Sequence, residues 1–176
     1  MVLKRNFYQK NTLDVAKNLL SCFLVRKINN KIIRARITET EAYIGEDDLA
    51  CHASKGRTKR TEIMYGQAGH AYVYMIYGMY HCLNIVTEKK DFPAAVLIRA
   101  VKIENVDYKK TNGPGKLCKV LKIDKKLNGW DLTKKEKIWI ENGIKISKKN
   151  IKSAKRIGID YAKHCRHYLW RFYISL

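Results

Sequence analysis

Glu39 and Glu41 stand two residues apart in the segment Thr38-Glu39-Thr40-Glu41-Ala42-Tyr43, a spacing at which two carboxylates can work on one face of a strand. Side chains along a strand alternate between faces, and two residues rise roughly 6.6 to 6.8 Å. One phase of the segment runs Ile33, Ala35, Ile37, Glu39, Glu41, Tyr43; the other runs Arg34, Arg36, Thr38, Thr40, Ala42. The apolar, core-seeking phase thus continues without a slip into two carboxylates and a tyrosine. Carboxylates carried toward an interior are neutralised, paired or put to chemical use. Side by side, both stay charged only where cations approach. One can then act as general base while the other holds a structural partner such as Arg99 or a backbone amide. A strand that twisted or bulged would instead turn both toward water.

A second group is Tyr72-Val73-Tyr74-Met75-Ile76-Tyr77-Gly78-Met79-Tyr80, with four tyrosines around a glycine. Aromatic stripes of this kind serve as core or sheet surface as readily as binding apparatus. Tyr77 differs, because a ring beside Gly78 at a hairpin tip has little core to enter. Basic proteins that deform DNA unstack base steps with apolar wedges in such positions. A third group is the basic loop carrying Lys55, Arg57, Lys59 and Arg60, suited either to phosphate contact or to solvation.

Other chemistries lack their residues. There is no CxxC pair, and His164, Cys165 and His167 have no further ligands at useful spacing, so neither a metal nor another cofactor is expected. The zinc deaminase signature, the P-loop, GxGxxG and the nucleophile elbow are absent.

The elements that must position these groups follow from periodicity. Residues 11–22 read as a helix, with Leu13, Ala16, Leu19 and Leu20 on one face and Asn11 or Thr12 as cap. Strands are expected at 23–27 and 31–43, joined by a turn at Asn29-Asn30. Residues 45–69 read as basic loop with a short helix. Residues 70–76 and 81–87 form a hairpin with its tip near Tyr77, and 94–103 form another strand. Asn112-Gly113-Pro114-Gly115 is a turn, followed by a helix over 116–123 whose N-terminus suits a phosphate. The expected fold is α+β: one compact domain over 1–176, a mainly antiparallel curved sheet with peripheral helices and a protruding β-hairpin.

The 36 Lys+Arg residues against 16 Asp+Glu give a net charge of +20, a field that attracts phosphate polymers. No run approaches the roughly 18 apolar residues of a membrane span, and the N-terminus lacks the apolar core of a signal peptide. The five scattered cysteines suit a reducing compartment. The expected location is a bacterial cytoplasm, with the nucleoid, or a eukaryotic nucleus.

Taken in order, Thr38-Glu39-Thr40-Glu41-Ala42-Tyr43, His52, the Tyr72–Tyr80 segment, Asn84, Leu97-Ile98-Arg99-Ala100, Asn112-Gly113-Pro114-Gly115-Lys116 and Arg171-Phe172-Tyr173 closely resemble the alkyladenine (3-methyladenine) DNA glycosylase family. The resemblance implies a metal-free enzyme that flips damaged purines out of double-stranded DNA and hydrolyses the N-glycosidic bond, leaving an abasic site. It implies Glu41 as the base that activates water, with Arg99 and the backbone carbonyl near Ile157 helping to hold that water. Tyr43, His52 and Tyr74 line the base pocket, Asn84 crowds the 2-amino position of guanine, and Tyr77 is the wedge. Lys55, Arg57, Arg60 and Lys116 are candidates for DNA-phosphate contact. Substrates in view are 3-methyladenine, 7-methylguanine, hypoxanthine and ethenoadenine, for an enzyme acting as a monomer. With no Schiff-base lysine beside Glu41, no lyase step is expected. Thr61 stands where the family pattern often has Asn, and Tyr65 where Phe is usual. A non-catalytic DNA- or RNA-binding protein and a polysaccharide glycosidase using the Glu39/Glu41 pair are the competing classes.

Overall fold

A computed structural model describes residues 1–175. Two short helices, α1 (Arg5–Tyr8) and α2 (Thr12–Asn18), open the chain, and Asn11 caps the second by accepting from the Leu13 amide. The sequence places a longer helix here, over 11–22. Ser21, at φ +71°, leaves the helical region, but Leu19 and Leu20 still reach the core that the periodicity assigns them.

The strands are β1 (Phe23–Ile28), β2 (Lys31–Ile44), β3 (Ala71–Ile76), β4 (Tyr80–Val86), β5 (Ala94–Ile103), β6 (Ile138–Glu141), β7 (Ile151–Ala154) and β8 (Arg171–Ile174). They form one curled antiparallel sheet ordered β3-β4-β5-β2-β1-β6, with β8 joining β2 to β7. Helix α3 (Pro114–Val120) starts and ends earlier than the periodicity suggests, because Pro114 takes the first turn. The loop between β2 and β3 contains two 3₁₀ turns, His52–Lys55 and Glu62–Tyr65.

Strand β2 is the hub. Along one edge it pairs with β5; along the other it pairs first with β1, up to Arg36, and then with β8, over Glu39–Glu41. Where the partner changes, the ladder is irregular. Ile37 pairs with Val101 and Thr40 with Ile98, a three-residue step on both strands. The faces exchange there. Ala35, Ile37, Val101 and Ile103 enter the main core before the step; Ala42, Val96 and Ile98 enter it after, while Thr40 donates to the Ala16 carbonyl of α2.

This corrects the unbroken phase expected from sequence. Odd-numbered residues of β2 meet the core up to Ile37, and even-numbered ones beyond Thr40. A one-residue change of phase moves a whole set of side chains to the other face. Glu41 and Tyr43 therefore lie on the face opposite the main core. There Tyr43 packs with Tyr72, Tyr74, Met64 and Ala95 in a second, smaller cluster.

Candidate active site

Glu41 is wholly buried, with 0% of its surface exposed, at the floor of a cleft of about 450 Å³. Its Oε2 accepts from the Tyr43 hydroxyl at 2.8 Å and its Oε1 from the Ile157 amide at 2.9 Å. The Arg99 Nε lies 3.5 Å from the same Oε1. Burial raises the Glu41 pKa above the ordinary carboxylate range; Arg99, the Ile157 amide and the Tyr43 hydroxyl oppose that rise. The backbone contact at Ile157 is thus an N–H given to the carboxylate, whereas the resemblance points to a carbonyl near this position.

Glu39 has a different environment. Its Oε1 is 3.2 Å from Arg99 Nε and 2.8 Å from Arg171 Nη1, so two guanidiniums hold it. The carboxylates share Arg99, but only Glu41 lines the cleft. A glycosidase pair, with one free carboxyl on each side of a sugar, does not match this arrangement.

The cleft is aromatic. Tyr43, His52, Tyr72 and Tyr74 line it, with Asn84 and Arg99 from the adjoining strands. The imidazole of His52 meets Tyr74 edge to face at 4.5 Å, and its Nδ1 is 2.8 Å from the Tyr72 hydroxyl. Burial, then the charges of Arg60 and Lys55, lower the His52 pKa to about 4, so the ring is neutral at pH 7. Burial also pushes up the phenols of Tyr43 and Tyr74. Asn84 is buried and donates from Nδ2 to the Tyr72 carbonyl at 3.3 Å.

Tyr77 lies at the cleft mouth on the β3–β4 turn and is 85% exposed. Tyr77 (φ +51°) and Gly78 (φ +68°) both occupy the left-handed region, and the Met79 amide closes the turn on the Ile76 carbonyl. Glycine adopts that conformation freely, whereas a tyrosine there costs about 1 kcal/mol. Met75, Met79 and Tyr80 are exposed around it. A strained, uncovered aromatic tip is a feature that function explains better than folding.

The basic candidates divide. Arg57 is bound by Glu62 and Asp91, at 2.7 and 3.0 Å. Arg60 has no carboxylate partner among the described residues and lies 5.2 Å from the Tyr74 ring centroid, against the cleft wall. Lys55 ends the first 3₁₀ turn and is exposed. Lys116 donates to the Lys109 carbonyl and to Asn112 Oδ1. Thr61, in the place of the more usual Asn, is buried; its hydroxyl accepts from the Thr58 amide at 2.8 Å and donates to the Gly56 carbonyl at 3.0 Å. The extra hydroxyl of Tyr65 donates to Glu46 at 2.5 Å.

Sequence reasoning missed Asp48 and Arg156. Both side chains are buried and form a two-pronged ion pair at 2.5 and 2.7 Å. Arg156 also donates to the Ala42 carbonyl, and its guanidinium lies 4.8 Å from the Tyr43 ring centroid and 5.0 Å from that of Trp170. It is joined directly to Ile157, whose amide meets Glu41. One dipeptide therefore orients both the tyrosine and the amide that hold Glu41. Among the described residues, no cluster of metal-ligating side chains occurs, and no helix is long and apolar enough to cross a membrane.

Comparison with known proteins shows the family of the chain. The family model described as Methylpurine-DNA glycosylase (MPG) matches residues 6–176. A protein of Methanocella arvoryzae is 49% identical over 185 residues, spanning 98% of this chain and 92% of its own length. One of Clostridium perfringens (strain 13 / Type A) is 47% identical over 197 residues, spanning 99% and 96%. One of Legionella pneumophila (strain Corby) is 49% identical over 180 residues, spanning 98% and 94%. All three are provisionally named 3-methyladenine DNA glycosylase. A family match across nearly the whole chain, together with relatives sharing almost half its residues, shows that the chain belongs to the methylpurine-DNA glycosylase family.

Proposed function

We propose that this DNA glycosylase extrudes alkylated purines from duplex DNA into the Glu41 cleft and hydrolyses their N-glycosidic bond with water activated by Glu41. The observation that carries the reading is a fully buried carboxylate held by a phenol, an amide and a guanidinium at 3.5 Å at the floor of an aromatic cleft. Hydrogen bonds to a charged group contribute about 1.5–3 kcal/mol each, and those from Tyr43 and Ile157 favour the ionised form of Glu41 against the rise that burial causes. A carboxylate kept charged but basic can take a proton from water as that water attacks the sugar carbon. Arg99, shared with Glu39, supplies the nearby positive charge that holds Glu41 in this state.

The walls serve the rest of the reaction. Extruding a nucleotide costs a few kcal/mol, offset by stacking on Tyr43, His52 and Tyr74 and by Tyr77 filling the gap left in the duplex. Asn84, fixed at the cleft wall by its bond to the Tyr72 carbonyl, crowds the 2-amino group of guanine.

Lesion preference follows from the proton inventory. An alkylated purine that carries positive charge leaves without help, whereas a neutral purine needs a proton. His52 is neutral at pH 7 and the phenols of Tyr43 and Tyr74 hold their protons tightly. None of the three is a ready acid. The proposed order is therefore 3-methyladenine first, then 7-methylguanine, which is cationic but brings its 2-amino group against Asn84, with hypoxanthine and ethenoadenine last. A base-release panel over these four lesions in duplex DNA tests the proposal. Release of the cationic bases first is the expected result. Hypoxanthine leaving as fast as 3-methyladenine would overturn the order, and release of no base at all would favour a non-catalytic binder.

A further inference from the structure

Beside the base cleft lies a second cavity of about 530 Å³, outside the edge strand β3. Lys59, Arg60, Lys125 and Asn128 line it, and it shares Arg60, Tyr72, Tyr74 and Met75 with the cleft. Its polar groups are biased toward donors. Asn128 Oδ1 accepts from the Val73 amide at 2.8 Å, which fixes the side-chain amide and leaves its Nδ2 as a donor. Among the described residues no carboxylate pairs with Lys59, Arg60 or Lys125, and none lines the cavity. The contrast with Arg57, three residues from Arg60 and bound by two carboxylates, shows that local acids neutralise one arginine of this loop and spare the other.

We propose that this second cavity binds one backbone phosphate of the lesion-containing strand, next to the flipped nucleotide. An unneutralised set of ammonium, guanidinium and amide donors is chemically matched to a phosphate, which offers only acceptors. The position follows from the shared wall: the ring of Tyr74 borders both the base cleft and the cavity, so their occupants are neighbours. Arg60, lying over that ring, joins the phosphate contact to the wall of the base pocket. The inference rests on the glycosylase reading for what occupies the cleft, but its test reads DNA affinity and not base release.

The test compares the exposed double variant Lys59→Ala/Lys125→Ala with a Lys134→Ala/Lys135→Ala control outside both cavities, each shown by melting to be folded. Affinity for a lesion duplex is measured across a salt series, with single methylphosphonates scanned through the positions flanking the lesion. The cavity variant should lose about ten-fold in affinity, with its salt slope reduced by about 1. One flanking methylphosphonate should weaken the wild type and leave the cavity variant unchanged. An affinity loss no larger than that of the control, or equal sensitivity of both proteins to every methylphosphonate, would overturn the proposal. So would inorganic phosphate protecting the wild type from melting, and not the variant, while DNA affinity stays equal. Failure of the glycosylase reading would appear separately, as wild-type protein that releases no base.

Discussion

Two carboxylates of the same segment, Glu41 and Asp48, are both buried but are held differently. Asp48 receives both prongs of Arg156 and also accepts from the Ala50 amide, so its charge is matched in place. Glu41 receives one hydroxyl, one amide and a guanidinium at 3.5 Å that it shares with Glu39. Burial shifts the Glu41 pKa upward. A saturated carboxylate serves the fold. One with fewer charged partners, beside an open cleft and with its pKa raised by burial, is equipped to accept a proton.

The largest effect expected from this comparison is on stability. Asp48→Asn leaves the buried Arg156 without its counter-charge and should cost about 3–5 kcal/mol, seen as a fall in Tm. Glu41→Gln removes a charge that burial disfavours and should change stability by no more than about 1 kcal/mol. Equal losses from both would break the contrast.

Tyr43→Phe sharpens it. The phenol lowers the Glu41 pKa, so its removal should raise that pKa further. The activity limb governed by Glu41 falls as pH drops through its folded-state pKa, and in Tyr43→Phe that limb should move to higher pH. An unmoved limb in single-turnover pH profiles would detach Tyr43 from Glu41.

His52 gives a smaller effect of known sign. Its folded pKa is about 4 against an ordinary 6.5, so the unfolded chain binds the extra proton first. The contribution of His52 to stability should be complete above pH 6.5 and should decline as pH falls toward about 4. Imidazole signals that titrate near 6.5 in the folded protein would contradict this. The smallest effect is expected for Tyr77→Ala: folding unchanged, because alanine keeps the Cβ that makes a positive φ costly, with a several-fold shorter lifetime of the flipped state, read by base-analogue fluorescence.

Much of this was legible in the sequence. The strands β2 to β5, the hairpin tip at Tyr77 and the common phase of Glu41 and Tyr43 follow from alternation and from Gly78. The face they occupy does not. Both β2 and β5 step by three residues at the same place, so the pairing register returns and no single strand reveals the exchange. The cause is the change of partner from β1 to β8, a contact between segments more than a hundred residues apart. The Asp48–Arg156 pair was hidden for the same reason. Arg57 and Arg60 look alike in sequence, and only the folded positions of Glu62 and Asp91 separate them.

The most direct test of the account is single-turnover release of 3-methyladenine by Glu41→Gln at DNA occupancy matched to the wild type. A general base contributes about 10²–10⁴-fold, so release should fall by about a thousand-fold while affinity for the lesion duplex and Tm stay near wild type. Release within ten-fold of wild type, or loss of binding and stability together with activity, would contradict the role assigned to Glu41.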